Sequence, residues 1–363
     1  MKTARIVIGG NNGDEGKGTV VAKYTKGRQN VLNVLTNGGS QRGHSVITDV
    51  GEHTFQHFGS GTYYGASNYY SSFFVINPMQ FRKEWDELVV KPTIYRDERC
   101  RWSTPFDMIA NSITEEQKNS HASCRMGIWN TIKRYTETAT RSFDEFVQLL
   151  PLRMKFEYIS QVKQYYEHRI TIPEQWKSIW NNPNLVLHFI EDCKFMFEHT
   201  VRVSTKSSDI LKFDNYIFEN GQGLLLSDTG KDTADTTPSK TGIKYSEVIM
   251  RELGLNDDNC NTTLHYVTRP YLTRHGDGIF TQQSDRKNIS SGVMEDRTNH
   301  YNDAQGEFRY GKLDIDELNN RICNDCNNRD FMVELTHCDE MDRVSEFRKV
   351  FKNVETIDSP IVL

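Results

Sequence analysis

The apolar run Ala4-Arg5-Ile6-Val7-Ile8 opens directly into Gly9-Gly10-Asn11-Asn12-Gly13-Asp14-Glu15-Gly16-Lys17-Gly18, and a helical pattern starts at Thr19–Tyr24. Strand, glycine-dense loop, helix is the order that most constrains the fold, because it commits the chain to a sheet with helical crossovers. The glycines let backbone N–H groups turn inward around an anion, and Lys17 can neutralise phosphate charge. Asp14 and Glu15 repel phosphate. Acids in such a cradle make sense where one holds Mg²⁺ or takes a proton during chemistry. A P-loop requires GxxxxGK followed by Ser or Thr. Here Gly18 follows Gly16-Lys17, and the spacing back to Gly10 is one residue too long, so a P-loop NTPase fits poorly.

Further apolar runs at Val31–Leu35, His53–Phe58, Phe73–Ile76, Tyr216–Phe218, His265–Val267 and Phe331–Leu335 read as strands. Their alternation with helical segments predicts an α/β fold with a mostly parallel central β-sheet flanked by helices. Residues from about 100 to 210 have few glycines and amphipathic stretches at Ser142–Leu150 and Met154–His168. They predict a mainly helical insertion in a single domain spanning 1–363.

A net charge of −5 provides no broad basic surface, which argues against nucleic-acid polymers as partners. No apolar signal segment or membrane-spanning run is apparent, so a cytoplasmic location is expected. The seven cysteines are scattered, as reduced thiols are. Cys323-Asn324-Asp325-Cys326, with His337-Cys338 downstream, is a weak zinc candidate; free, partly buried thiols are the simpler reading.

Several loops follow the strands, and in a parallel sheet they share the edge where ligands bind. Gly38-Gly39-Ser40-Gln41-Arg42-Gly43-His44 offers His44 as a general acid beside Asp14. Glu219-Asn220-Gly221-Gln222-Gly223 offers Gln222 to a base edge. Thr236-Thr237-Pro238-Ser239 offers hydroxyls to phosphate, or simply caps a helix. Arg274 and Arg309 lie in glycine-flanked loops suited to clamping a carboxylate or phosphate. Asp339, in Leu335-Thr336-His337-Cys338-Asp339, could accept from a purine base or cap a helix.

Together these residues resemble the adenylosuccinate synthetase family. Gly13-Asp14-Glu15-Gly16-Lys17-Gly18 matches the family's GDEGKG loop letter for letter, and Gly43-His44-Ser45 resembles its Gly-His-Thr. Phe218-Glu219 with Gln222-Gly223 and Leu225-Leu226 resembles FEGAQGxLL. Tyr271 with Thr273-Arg274 and Gly276 resembles YTTRVG, and Gly311-Lys312-Leu313-Asp314 resembles GWLD. The matches run in order along almost the whole chain; the last two are looser.

The family joins L-aspartate to C6 of a 6-oxopurine nucleotide at the expense of a nucleoside triphosphate. The resemblance implies Asp14, Lys17 and His44 as catalytic residues, with Mg²⁺ held by Asp14 and the Gly43 carbonyl. It implies Gly13, Glu15, Gly16, Gly18, Asn37, Gln41, Ser123, Gln222, Thr237 and Asp339 as nucleotide-binding. Arg134, or Lys133, replaces an arginine that reaches the phosphate across a homodimer interface. Arg309 and Gln305 take L-aspartate.

The departures resemble the compact phage and archaeal-like branch, which includes phage 2-aminoadenylosuccinate synthetases. Gly306-Glu307-Phe308 replaces a run of arginines, one of which lies near the ribose 2′-hydroxyl. Thr336-His337-Cys338-Asp339 lacks the lysine of the guanine-reading TKxD element, which opens the donor to ATP or dATP as well as GTP. These changes favour dGMP as substrate; the retained Asp14 is what IMP-using members keep. The alternative of another class is a nucleotide-binding regulator without catalysis, against which Asp14, Lys17 and His44 stand together.

Overall fold

The computed structural model describes every residue except 49–50, 122, 231–235, 297 and 358–363. Its main sheet has nine strands, all paired in parallel. In spatial order they are Val201–Val203, Ile94–Asp97, Ser67–Tyr70, Val31–Leu35, Asn215–Gly223, Lys2–Gly9, Cys260–Thr268, Phe331–Leu335 and Val354–Thr356. Ala4, Ile6, Val7 and Ile8 are all fully buried, as a central parallel strand with both faces covered must be. The α/β reading is borne out, and the loops that follow five of the central strands open at one edge.

The helices Pro105–Lys118, Ile128–Glu137, Phe143–Gln148, Leu152–Glu167, Glu174–Trp180 and Pro183–Glu198 lie between the adjacent strands Ile94–Asp97 and Val201–Val203. The helical stretch expected near 100–210 is therefore a long crossover at one side of the sheet. Its local signals are ordinary ones. Ser142 and Glu145 form a reciprocal capping box at Phe143, which satisfies N–H groups left open by the first turn. Trp102, Phe106, Phe146 and Phe189 gather in the aromatic core that these helices share with the sheet.

Three strand expectations change. The strand read over 53–58 is Gly51–Phe55 and pairs in a hairpin with His44–Thr48. Phe74–Ile76 belongs to a small separate sheet with Gly38–Gly39 and Arg101–Trp102. Ile94–Asp97 was unread because half of it is charged. Its Arg96 is buried against Asp144 by two bonds of 2.8 and 3.0 Å, and Asp97 accepts from Tyr69 at 2.9 Å. Partners distant in sequence make those charges tolerable inside. Among the described residues no helix is long and apolar enough to cross a membrane.

Candidate active site

The glycine loop leaves strand Lys2–Gly9 and ends at helix Lys17–Thr25. Gly13, Asp14 and Gly16 have φ of +100°, +60° and +88°, the left-handed turns that aim successive N–H groups into a concavity. Glu15 does not face that concavity. One carboxylate oxygen accepts the N–H groups of Asn11 and Gly13 at 2.9 Å each, and the other pairs with the Lys17 ammonium at 3.0 Å. The Glu15 side chain is thus an internal staple that shapes the loop and fixes Lys17, itself 2 % exposed. Gly9 makes room for it: a Cβ there would lie 2.6 Å from the Glu15 carboxylate.

Asp14 is held by its backbone. Arg269 Nε donates to its carbonyl at 2.7 Å, while its carboxylate accepts no hydrogen bond from any described residue. Burial raises that carboxyl to about 6, against the opposing pull of Lys17. A carboxylate poised near neutral pH that accepts no hydrogen bond from a described residue is equipped to take a proton.

Gly18 explains the departure from a P-loop. A Cβ at this position would lie 2.6 Å from the Ser45 carbonyl oxygen and 3.0 Å from the His44 carbonyl carbon. The strand carrying His44 packs where a P-loop hydroxyl would stand. Gly18→Ser is expected to cost about 1–3 kcal/mol by overpacking, read as a lower denaturation midpoint; unchanged stability would contradict this packing.

His44 sits beside the loop's exit with its orientation fixed. Nδ1 lies 2.5 Å from Glu219 Oε1. The same carboxylate takes Arg42 Nη2 at 2.8 Å, the Ser60 hydroxyl at 2.6 Å and the Ser60 N–H at 3.0 Å. Burial and Arg42 together lower the imidazole to about 4, outweighing Glu219. Arg42 and His44 in turn hold the Glu219 carboxyl well below its usual range despite burial. Nδ1–H therefore donates to Glu219, and Nε2 has no partner among the described residues. Arg42, Ser60, Glu219 and Arg269 had no assigned role from sequence. Glu219 lay inside a quoted motif, and only its position opposite His44 reveals its part.

The remaining candidates fall into two groups. Gln41 Nε2 donates to Thr237 Oγ1 at 3.1 Å, and Asn37 Nδ2 to Ser239 Oγ at 3.1 Å. Gln222, at φ +56°, has a buried Oε1 with no partner among the described residues. A Cβ on Gly38 would lie 3.4 Å from that oxygen and 3.5 Å from Gln41 Nε2, so two carboxamides converge over Gly38. Such an orphaned acceptor is a place for a ligand donor.

In the second group, Arg309 and Arg274 are partners across the antiparallel strands Phe308–Gly311 and Leu272–His275. Arg309 Nη2 donates to the carbonyls of Gly276 at 2.5 Å and Gly278 at 3.1 Å, and Arg274 to that of Asp277. The Gln305 N–H is held by Asn302 Oδ1 at 2.8 Å. Ser123, bonded to Asn111, lies on the segment that Asp277 ties to this turn: Asp277 Oδ2 accepts the His121 N–H at 2.6 Å.

Arg134 stands apart. Its guanidinium is buried in two 2.8 Å bonds to Asp107 and another to the Trp102 carbonyl, a structural ion pair. Lys133 next to it is exposed. Asp339 is exposed beyond the last motif. Cys323 and Cys326 are free thiols, and no group of three or more His, Cys, Asp or Glu suited to a metal occurs among the described residues. The zinc candidate has no third ligand there.

A parallel sheet whose one edge gathers an anion cradle, a buried lysine, a near-neutral carboxylate and paired arginines defines an enzyme that handles nucleotides. The chain belongs to the adenylosuccinate synthetase family, a family of carbon–nitrogen ligases, whose model matches residues 6–351. It is 30 % identical over 167 residues to adenylosuccinate synthetase of Dehalococcoides mccartyi strain BAV1, covering 43 % of this chain and 38 % of that one. With the enzyme of strain 195 it shares 25 % over 321 residues, covering 84 % and 71 %.

Two solved structures share the fold. Fully ligated adenylosuccinate synthetase from Plasmodium falciparum superposes with a TM-score of 0.70 at 18 % identity, covering 94 % of this chain and 78 % of that one. The cyanophage S-2L succinoaminodeoxyadenylate synthetase, bound to dGMP and dATP, gives 0.66 at 11 %, covering 98 % and 91 %.

Proposed function

We propose that the protein joins L-aspartate to C6 of a 6-oxopurine nucleoside monophosphate, driven by a nucleoside triphosphate and passing through a 6-phosphoryl intermediate. The observation that carries this is the Asp14 carboxylate: raised toward neutrality, bonded to no described residue and within the electrostatic reach of the buried Lys17 ammonium. Asp14 takes the N1 proton, so charge moves onto O6, which attacks the γ-phosphorus and displaces the nucleoside diphosphate. Lys17 and the loop N–H groups stabilise the charge on the transferring group. His44 donates from Nε2 to the same group. With Nδ1–H committed to Glu219, Nε2 carries a proton only in the imidazolium, which the charges of a bound phosphate and of Glu219 together favour. The amine of L-aspartate then adds to C6 and expels phosphate, with its carboxylates on Arg309 and the Gln305 turn.

Mg²⁺ fits the donors present, because the Asp14 carboxylate, bonded to no described residue, and the carbonyl of exposed Gly43 are hard oxygens, and Mg²⁺ takes most of its remaining shell from phosphates and water. It would supply charge neutralisation across the triphosphate. Gln41, Gln222 and Thr237 bind the monophosphate substrate, and Asp339 faces the donor base.

Within this reading dGMP is favoured over IMP and ATP or dATP over GTP. The loop at Gly306-Glu307-Phe308 carries no arginine for a ribose hydroxyl, and His337 stands where the family's lysine reads guanine. The likeness to a phage enzyme that binds dGMP and dATP supports the same choice; Asp14 favours IMP. With L-aspartate and Mg²⁺, kcat/KM for dGMP is expected to exceed that for IMP by at least about tenfold. A preference for IMP would reverse the substrate assignment and leave the reaction intact.

A further inference from the structure

The buried guanidinium of Arg269 has three partners on three functional segments. Nε donates to the Asp14 carbonyl at 2.7 Å, Nη2 to Asp296 at 2.5 Å and Nη1 to Tyr271 Oη at 3.1 Å. Asp296 is itself a hub. It accepts the N–H groups of Thr298 and Asn299 at 3.0 Å each, and its own N–H donates to Tyr310 Oη at 2.9 Å. Tyr310 neighbours Arg309 on strand Phe308–Gly311. A continuous path of hydrogen bonds therefore joins the backbone of Asp14 to the strand bearing the amino-acid clamp. Arg269 is only 4 % exposed, and its charge is met by the Asp296 carboxylate.

We propose that Arg269 and Asp296 are positioning residues that form a strut between the catalytic loop and the L-aspartate clamp. The strut holds Asp14 in its left-handed turn, aiming the carboxylate away from the protein. It also sets the Arg309 strand at the distance at which the aspartate amine meets C6. This inference rests on the reaction proposed above. Its distinctive consequence is coupling. In an intact site every phosphoryl transferred to O6 is expelled by aspartate. A site whose clamp is loose while Asp14 stays placed lets water take the aspartate's role, returning the 6-oxopurine and phosphate without ligation.

The test is steady-state kinetics on the full chain with Mg²⁺, triphosphate, purine monophosphate and L-aspartate, recording both phosphate and ligated nucleotide. Turnover by the unsubstituted protein is established first; its absence would defeat the proposed reaction and not the strut. Asp296→Asn is expected to raise KM for L-aspartate about tenfold or more while KM for the monophosphate stays within about twofold. The ratio of phosphate to ligated product is expected to rise above one. Arg269→Lys keeps the charge but loses the fork, and is expected to lower kcat about 100-fold, as a small misplacement of a reacting group does. The double variant should be no worse in KM for aspartate than the worse single one. If Asp296→Asn does not fold, Tyr310→Phe removes the next link and carries the same readouts. A stoichiometry of one with unchanged KM for aspartate, or equal loss toward all three substrates, would overturn the strut.

Discussion

Asp14→Asn is expected to fold as the parent does and to lose about 10³-fold or more in turnover, within the range for a general base. The backbone of residue 14 is at φ +60°, a conformation that Asn adopts as readily as Asp. The Arg269 bond goes to the main-chain carbonyl and survives the change. The carboxylate accepts no hydrogen bond from a described residue, and burial disfavours its charge, so the change should not lower stability at neutral pH, while the functional effect is near total. Undiminished thermal stability together with lost phosphate release is the expected pair of results. Full turnover in the variant would remove Asp14 from the chemistry.

Glu219→Ala has the opposite profile, because there the carboxylate is both scaffold and catalytic support. Its loss strands the Arg42 guanidinium, whose Nε and Nη1 already have no partner, and frees the His44 ring. Removing one member of a buried pair costs about 3–5 kcal/mol, and the displaced imidazole no longer presents Nε2. A large fall in denaturation midpoint and loss of activity are expected together. Glu219→Gln keeps the shape and some hydrogen bonds, and should recover much of the stability but little of the rate. The pH dependence has a definite sign. A carboxyl whose folded-state pKa is depressed contributes stability in full above the ordinary glutamate range and loses it as the solution becomes strongly acid. The stability gap between parent and Glu219→Gln should therefore narrow toward acid pH. A gap independent of pH would contradict the ionised pair.

The strand–loop–helix at residues 2–25 was legible because local signals agree there: apolar residues, then glycines, then helix formers. The same holds for the parallel sheet. What was not legible depends on pairing between distant positions. Glu15 looked like a ligand residue because sequence shows its charge but not that it turns back onto Asn11, Gly13 and Lys17. Arg134 looked like a phosphate hook because Asp107, which consumes it, lies on another helix. Ile94–Asp97 was not read as a strand because the partners that make its charges tolerable, Asp144 for Arg96 and the Tyr69 hydroxyl for Asp97, lie elsewhere in the chain. Arg42 and Glu219 lie inside the quoted segments without a role of their own and Arg269 lies outside them; what they hold in place is visible only in the fold. Sequence patterns find the groups that meet the substrate more readily than those that aim them.

The most direct measurement supplies the protein with Mg²⁺, ATP, L-[¹⁵N]aspartate and a 6-oxopurine monophosphate, dGMP and IMP in parallel, and follows the nucleotide by mass spectrometry alongside released phosphate. The expected result is a succinyl-bearing purine nucleotide that retains ¹⁵N, formed with one phosphate per ligation. Phosphate release without a labelled nucleotide, or tight nucleotide binding with neither product, would contradict a ligase and favour a nucleotide-binding regulator.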